Sequence, residues 1–312
     1  MKRFNFLLIQ FLIFLLCLFL INEGVRYATR NSIARQHIQK VEKIPQGASL
    51  FLGHSLIVAG IVPELLSWDS PALNAGLGYS GPGEHYLIWR LASTKKPRRV
   101  IYGFIDTMLT DSIHGGWDDL VGNRTISYLI QPKLAKSIYG DSAWLLEVIA
   151  PFPALVERKQ IWLKVELLRR KLGQWQMPVQ EENSFGRVAD FAALEQNRID
   201  FLQKCMNPIM LNNPIESFIT DLNFSSTESW FVLMPLPSQH RHKYYETAQW
   251  IQYRSYLFDL LKKKHIHCLD ASDWIDDHDF KDVVHLNEKG ARRFSDRLAK
   301  VLQGQVTEGF TH

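Results

Sequence analysis

Residues 48–55 read Ala-Ser-Leu-Phe-Leu-Gly-His-Ser, an apolar run that ends in a glycine and a serine. A short, continuous apolar run of this kind is typical of a strand that is covered on both faces, as in a parallel sheet. Similar runs occur at residues 100–105, 230–234 and 265–269. The sequence therefore predicts at least four buried strands, with Ser55 just beyond the first of them.

Helical patterns lie between these runs. Residues 83–92 and 244–264 carry apolar side chains at helical spacing, and a final helix is predicted to begin near Asn287, a good N-cap residue. Alternating strands and helices predict an α/β fold, a three-layer α/β/α sandwich with a parallel, flavodoxin-like sheet. In such a fold the reactive groups lie beyond the carboxyl ends of the strands.

The composition excludes several classes of protein. The chain has 312 residues, of which 46% are hydrophobic and 22% charged, enough apolar material for one large core or for one core with a sizeable insertion. The net charge of +4 is small, and the basic residues are scattered rather than grouped in a long run. We therefore predict no nucleic-acid partner, and we predict no cofactor.

The N-terminus is long and apolar enough to cross a bilayer. Residues 4–21 are almost all Leu, Ile and Phe, and as a helix they would span about 27 Å. The run ends in Leu20-Ile21-Asn22-Glu23, without the small residues of a signal-peptidase site, which favours an uncleaved anchor over residues 1–24. Basic residues flank the run on both sides, so charge alone leaves the orientation open. We expect the commoner arrangement, a single-pass cell-membrane protein with its large domain outside the cytoplasm.

Three further segments complete the predicted organisation. Residues 25–46 are polar with spaced apolar side chains, which predicts a helical stalk or linker. Residues 47–312 form the main domain, and within it residues 107–229 do not fit the strand and helix repeat. We interpret most of 107–229 as an inserted helical cap. A lid, a partner surface or a segment resting on lipid are the other interpretations.

A serine, a histidine and an aspartate have the order and placement of a nucleophilic site. Ser55 follows the first strand, and the segment Asp282-Val283-Val284-His285 precedes the last helix. A serine hydroxyl is a weak nucleophile until a base takes its proton, and an imidazole oriented by a carboxylate is the usual base. The residues therefore predict a serine esterase with Ser55 as nucleophile, His285 as base and Asp282 as orienting acid.

Each of these residues also has a simpler interpretation. Ser55 fits a helix N-cap, and His285 fits a surface residue beside the last helix. Asp282 lies near three other acids, so the sequence alone leaves open which of them orients the base. Those acids are Asp276, Asp277 and Asp279.

With Ser55, Asp282 and His285 in this order, the chain resembles the SGNH or GDSL-like hydrolase superfamily. His54 stands where many members carry aspartate, and the run from His285 to Ala291 is similar to the family's closing segment. The similarity extends over residues 50–106 and 230–302.

The resemblance also implies an oxyanion hole. It would consist of the Ser55 backbone N–H, Gly76 and, less firmly, Asn74. One departure lies in the third motif, commonly Gly-x-Asn-Asp in the family, because this chain has Ile105 before Asp106. The isoleucine side chain cannot donate a hydrogen bond to an oxyanion, and losing one such donor costs roughly a hundredfold to a thousandfold in rate. Asp106 is expected to hold the loop rather than to act in catalysis.

The membrane anchor directs the resemblance towards one branch of the superfamily. Membrane-tethered members include proteins of alginate O-acetylation and of D-alanine transfer to teichoic acid. The resemblance therefore implies a serine acyl esterase or O-acyltransferase that acts on acylated cell-surface polysaccharide. Its partners would be an acyl ester or acyl donor, a glycan acceptor and a membrane-bound acyltransferase. The alternatives are a non-catalytic membrane assembly protein that keeps the fold, or an esterase directed at lipid.

Histidines and acids elsewhere lack the spacing of a metal site, so we predict no metal. Three cysteines leave open either separate thiols, which we favour, or one disulfide between Cys205 and Cys268. The residues weighed as metal ligands are His240, His242, His265, His267 and the acids of the 276–279 loop.

Overall fold

The computed structural model describes residues 2–29, 33–66, 71–78, 80–106, 211 and 213–304. Most of the predicted cap, residues 107–210, and Cys205 lie outside the described residues. Those described form two compact units, one of residues 2–29 and 33–38 and one that starts at Gln39 and contains the sheet. Helices and strands are numbered below over the described residues.

Five parallel strands form one sheet, which confirms the predicted α/β class. Their bounds are β1 (Ser49–Gly53), β2 (Ala72–Asn74), β3 (Arg99–Phe104), β4 (Glu228–Leu233) and β5 (His267–Asp270). The strand order is β2-β1-β3-β4-β5, with Leu52 of β1 opposite Tyr102 of β3. Strands β1, β3 and β4 are almost wholly buried, as continuous apolar runs predict. Strand β2 was not predicted.

Seven α-helices of six residues or more accompany the sheet in the described residues. They are α1 (Lys2–Thr29), α2 (Ile33–Glu42), α3 (Ser55–Gly60), α4 (Pro82–Ser93), α5 (Asn213–Asn223), α6 (Ala248–Lys263) and α7 (Glu288–Leu302). The predicted cap at Asn287 is confirmed, because its Oδ1 accepts from the Gly290 N–H at 2.9 Å. Helix α6 begins later than predicted, since residues Arg241–Tyr245 form a π-helical turn before it.

The sheet is covered on both faces. The ring of Tyr102 meets His85 of α4 and Phe218 of α5, with ring centroids 5.7 Å and 5.3 Å away. The next residue, Gly103, lies against Ile57 of α3. Because successive strand residues point to opposite faces, α4 and α5 cover one face and α3 covers the other.

Helix α7 packs behind α3 and completes the second outer layer. The hydroxyl of Ser295 donates to the Gly60 carbonyl at 3.2 Å and accepts from the Val62 N–H at 2.9 Å. Since Ser295 is fully buried, it satisfies the backbone groups at the end of α3. The last helix of the chain therefore fixes the short helix that begins with Ser55.

Helix α1 contains one segment, Phe4–Tyr27, that is long and apolar enough to cross a membrane. Its side chains from Phe4 to Ile21 are exposed. By length, composition and position the helix fits either a membrane anchor or a signal sequence. It extends five residues beyond the predicted end of the anchor at residue 24.

The C-terminal end of the predicted stalk, residues 40–46, packs against the sheet domain. Val41 and Ile44 are buried, and the Lys40 ammonium donates to the Asn74 carbonyl at 2.8 Å. The far end of the predicted insertion also belongs to the core, since α5 packs on the sheet and Glu228 and Ser229 begin β4.

Candidate active site

Ser55 is the first residue of α3, directly after β1. Gly53 ends the strand with a φ of +141°, a conformation that side chains disfavour. A Cβ at Gly53 would also lie 2.4 Å from the Gly103 carbonyl oxygen. The glycine therefore allows the sharp turn that brings Ser55 to the carboxyl edge of the sheet.

Ile57 anchors this turn to the sheet. A Cβ on Gly103 would lie 2.3 Å from Ile57 Cδ1, and a Cβ on Gly76 would lie 2.8 Å from Ile57 Cγ2. Both distances are shorter than carbon atoms can approach. The absence of a side chain at these glycines thus provides the space for Ile57, whose position in turn fixes Ser55 two residues earlier.

His285 lies in a pinned loop before α7. The Lys281 N–H donates to the His285 carbonyl at 2.9 Å, and Phe280 forms an isolated antiparallel bridge with Leu286. The Asn287 N–H continues the pairing by donating to the Asp279 carbonyl at 2.9 Å. These backbone hydrogen bonds fix the loop that carries the His285 imidazole, although the loop is not a regular strand.

The structure brings Ser55, His285 and Asp282 into one chain of hydrogen bonds. His285 Nε2 lies 2.7 Å from Ser55 Oγ, and His285 Nδ1 lies 2.9 Å from Asp282 Oδ2. All three side chains are partly exposed. The arrangement can transfer the serine proton to an imidazole that a carboxylate orients.

Asp282 is the acid that contacts His285. Burial alone would raise its pKa, but hydrogen bonds from the His285 side chain and from the His285 and Val284 backbone N–H groups lower it to about 2. The neighbouring acids are engaged elsewhere: Asp277 accepts from Ser238, and Asp279 pairs with Arg293 at 2.6 Å.

A second imidazole ring, that of His54, contacts the Ser55 hydroxyl. The sequence indicated this contact only through the unusual histidine before Ser55. His54 Nδ1 lies 2.7 Å from Ser55 Oγ. Burial, and then the nearby His285, lower the pKa of His54 to about 4, so its ring is neutral near pH 7. Ser55 Oγ therefore lies between two imidazole rings.

The contacts of Asn74 do not fit its predicted role in the oxyanion hole. Its amide donates to the Ile57 carbonyl at 2.8 Å and to the Ile61 carbonyl at 3.0 Å. Its Oδ1 accepts from the Gly76 N–H at 3.0 Å, so the predicted Gly76 donor is also engaged. Both amide donors of Asn74 therefore hold the end of α3. Asn74 and Gly76 stabilise the fold around α3 rather than bind a substrate.

Two other backbone groups lie at the serine. The first residue of a helix has no intrahelical partner for its N–H, and within the part of the chain that the structure describes the Ser55 N–H has no acceptor. Gly78 lies beside Ser55, since a Cβ on Gly78 would be 4.0 Å from Ser55 Cβ. Ile105 is 3% exposed and contributes no polar group.

Asp106 is fully buried next to the end of β3. Its Oδ1 accepts from the Tyr245 hydroxyl at 3.0 Å, while its own N–H donates to that hydroxyl at 3.3 Å. His240 Nε2 lies 3.8 Å from the same carboxylate. These contacts connect the end of β3 to the segment that contains His240 and Tyr245, while the loop that Asp106 was predicted to hold lies outside the described residues.

Within the described ranges, one group of residues has atoms close enough to share a metal ion. Ligand atoms of Asp276, His278 and Asp279 lie within 4.8 Å of one another. Asp279, however, already pairs with Arg293 at 2.6 Å and Lys289 at 3.3 Å. These cations occupy the carboxylate that a metal would need. Cys17 and Cys268 are free thiols.

No family model matches the chain, and no curated protein matches it. Among solved structures it is similar to a protein from Streptococcus pneumonia described as "a putative platelet activating factor". That likeness covers 91% of this chain and 97% of the other, at 11% identity and a TM-score of 0.40. A superposition this loose carries no argument about activity, which depends on the contacts described above.

Proposed function

We propose that the chain is a serine acyl esterase or O-acyltransferase of the SGNH type that acts on acylated cell-surface polysaccharide. Helix α1 would anchor it in the cell membrane, with the sheet domain outside the cytoplasm. The observation that carries this proposal is the unbroken hydrogen-bonded path from Ser55 Oγ through His285 to Asp282.

The first half of the reaction forms an acyl-enzyme. As Ser55 Oγ bonds to the acyl carbon, its proton moves to His285 Nε2 and the carbonyl π electrons move to the carbonyl oxygen. Among the described residues the Ser55 N–H has no acceptor, so it can donate to that oxygen. Because the Gly76 N–H is engaged by Asn74, Gly78, which lies beside Ser55, is the candidate for a second backbone donor. The imidazolium then protonates the leaving alkoxide as the ester bond breaks.

The second half transfers the acyl group to an acceptor. A water or sugar hydroxyl gives its proton to His285 Nε2 and attacks the acyl carbon, and Ser55 Oγ leaves with the proton that His285 returns. Asp282, whose pKa is about 2, remains ionised throughout and stabilises each imidazolium. Hydrolysis and transfer therefore use the same residues and differ only in which hydroxyl reaches the acyl-enzyme.

The experiment uses the full chain in mild detergent. Hydrolysis of p-nitrophenyl acetate is compared among wild type, Ser55→Ala, His285→Ala and the control Ser93→Ala, which removes a hydroxyl at the end of α4. We expect the rate to fall to background in the first two variants and to be unchanged in the control. Mass spectrometry of the quenched wild type should find the acetyl group on the peptide that contains Ser55.

Transfer is tested by adding a soluble oligosaccharide to the same reaction. Acetylated oligosaccharide that appears with wild type but not with Ser55→Ala would identify transferase activity. A wild-type rate no higher than that of folded Ser55→Ala would overturn the proposal. The buried, apolar Ile105 favours the second candidate in that case, a membrane assembly protein that binds without catalysis.

A further inference from the structure

We infer that His54 is a second catalytic histidine, which donates a hydrogen bond from its Nδ1–H to Ser55 Oγ during both attack and departure of that oxygen. This inference rests on the proposed function of the Ser55 site. It assigns a chemical role to the residue that precedes the nucleophile.

The direction of the hydrogen bond follows from counting protons. Asp282 accepts from His285 Nδ1, so Nδ1 carries the hydrogen of the neutral His285 ring and Nε2 carries none. His285 Nε2 must then accept the single proton of the Ser55 hydroxyl. Since that hydroxyl has no second proton, His54 Nδ1, 2.7 Å from Oγ, must be the donor in the second contact.

The electrostatic environment of His54 keeps this donor neutral. Its ring is largely surrounded by protein, and a positive charge there would face His285, which itself becomes positive when it takes the serine proton. The pKa of about 4 means that His54 does not compete for the proton near pH 7. A neutral Nδ1–H can donate but cannot act as the base, so the two histidines have different roles.

The donated bond acts when charge develops on Oγ. As Ser55 loses its proton to His285, Oγ becomes partly negative, and a hydrogen bond to a charged atom is roughly twice as strong as one between neutral groups. The same charge appears when Oγ leaves the acyl carbon in the second half-reaction. In the resting state the bond also directs the hydroxyl proton towards His285. We therefore expect His54 to affect kcat more than KM.

Three substitutions separate this role from packing. In His54→Ala the donor is lost. In His54→Asn the side-chain amide is the same two bonds from Cβ as Nδ1, so a donor is retained. In His54→Asp the ionised side chain can only accept, and its negative charge favours the protonated form of His285.

The measurement is p-nitrophenyl acetate hydrolysis from about pH 5 to 9 by the full chain in detergent, with thermal unfolding of each variant. We expect kcat to fall by about tenfold to a hundredfold in His54→Ala, which is the cost of one hydrogen bond to a charged atom, with little change in KM. His54→Asn should recover most of that loss. His54→Asp should be slow, with the acidic limb of its pH profile shifted to higher pH.

The tautomer is read independently by nitrogen NMR of the histidine-labelled full chain, with the His54→Asn spectrum identifying the His54 signals. A protonated Nδ1 supports the inference, and a protonated Nε2 with a bare Nδ1 overturns it. Unchanged kinetics in all three variants, or a folded His54→Asn as slow as His54→Ala, would also overturn it. If wild type turns over no faster than Ser55→Ala, the proposed function fails, while the tautomer still decides the hydrogen bond.

Discussion

The carboxylate of Asp282 holds His285 at two points, accepting from its backbone N–H at 2.7 Å and from its ring Nδ1 at 2.9 Å. The acid therefore fixes both the loop and the direction of the imidazole. Removing its charge while keeping its shape should separate these two effects.

We expect Asp282→Asn to lower kcat by roughly a thousandfold to ten-thousandfold, because an amide in place of the carboxylate favours the wrong imidazole tautomer. The control is Asp276→Asn in the adjacent acidic loop, which should leave kcat unchanged. Both are measured by p-nitrophenyl acetate hydrolysis. Equal rates in wild type and Asp282→Asn would mean that this carboxylate does not orient the base.

The pKa of Asp282 also predicts a loss of stability in acid. The folded-state value of about 2 lies below the ordinary 3.8. A depressed carboxyl pKa stabilises the folded chain above the ordinary value, and this stability is lost as the pH falls through the folded value. The urea midpoint should therefore fall between about pH 4 and pH 2, and Asp282→Asn should reduce that pH dependence. Parallel curves for the two proteins would contradict the prediction.

Gly103 and Ile57 should be coupled in stability. Gly103→Ala places a Cβ 2.3 Å from Ile57 Cδ1, and overpacking of this kind costs about 1–3 kcal/mol. Ile57→Ala alone should cost about 2–5 kcal/mol through the cavity it leaves. The double variant should be more stable than the sum of the two losses predicts, because the new methyl enters that cavity. Urea unfolding of the four proteins measures the coupling, and strict additivity would contradict the contact.

Helix α1 should behave as an uncleaved anchor. Full-length protein should stay in the membrane fraction after an alkaline carbonate wash, and a C-terminal alkaline phosphatase fusion should be active, since that enzyme needs the oxidising side of the membrane. Replacing both Leu12 and Leu16 by arginine should release the protein, because each charge costs about 2.5–3.5 kcal/mol at the centre of a spanning helix. An N-terminus found beyond residue 24 by protein sequencing would instead identify a cleaved signal.

Strong local patterns made the sheet predictable, but short elements were missed. Strands β1 and β3 were predicted because both of their faces are buried and their sequences are continuously apolar. Strand β2 has only three residues, all half-buried, and so has no such pattern. The start of α6 was predicted at residue 244 but lies at Ala248. It depends on the Thr247 side chain, which accepts from the Trp250 N–H at 3.3 Å.

The order of Ser55, Asp282 and His285, their placement after the first strand and before the last helix, and the family resemblance together predicted that they come together. The prediction for Gly76 and Asn74 did not allow for their contacts in the fold, because the Asn74 amide donates to the Ile57 and Ile61 carbonyls and the Gly76 N–H donates to Asn74 Oδ1. The contact between His54 and Ser55 was missed for a related reason. Neighbours in sequence usually point apart, and only the turn at Gly53 and the start of α3 direct both towards the same point.

Ser55 and its proposed base, His285, are synthesised at very different times. Ser55 and His285 are 230 positions apart, so a ribosome completes the first strand and its serine long before it reaches the base. Until residue 285 emerges and α7 packs behind α3, Ser55 lacks the contact with His285 that removes its proton in the proposed mechanism. Under the proposed mechanism, a chain that is still being synthesised, or one that is cut short before residue 285, is therefore expected to be inactive.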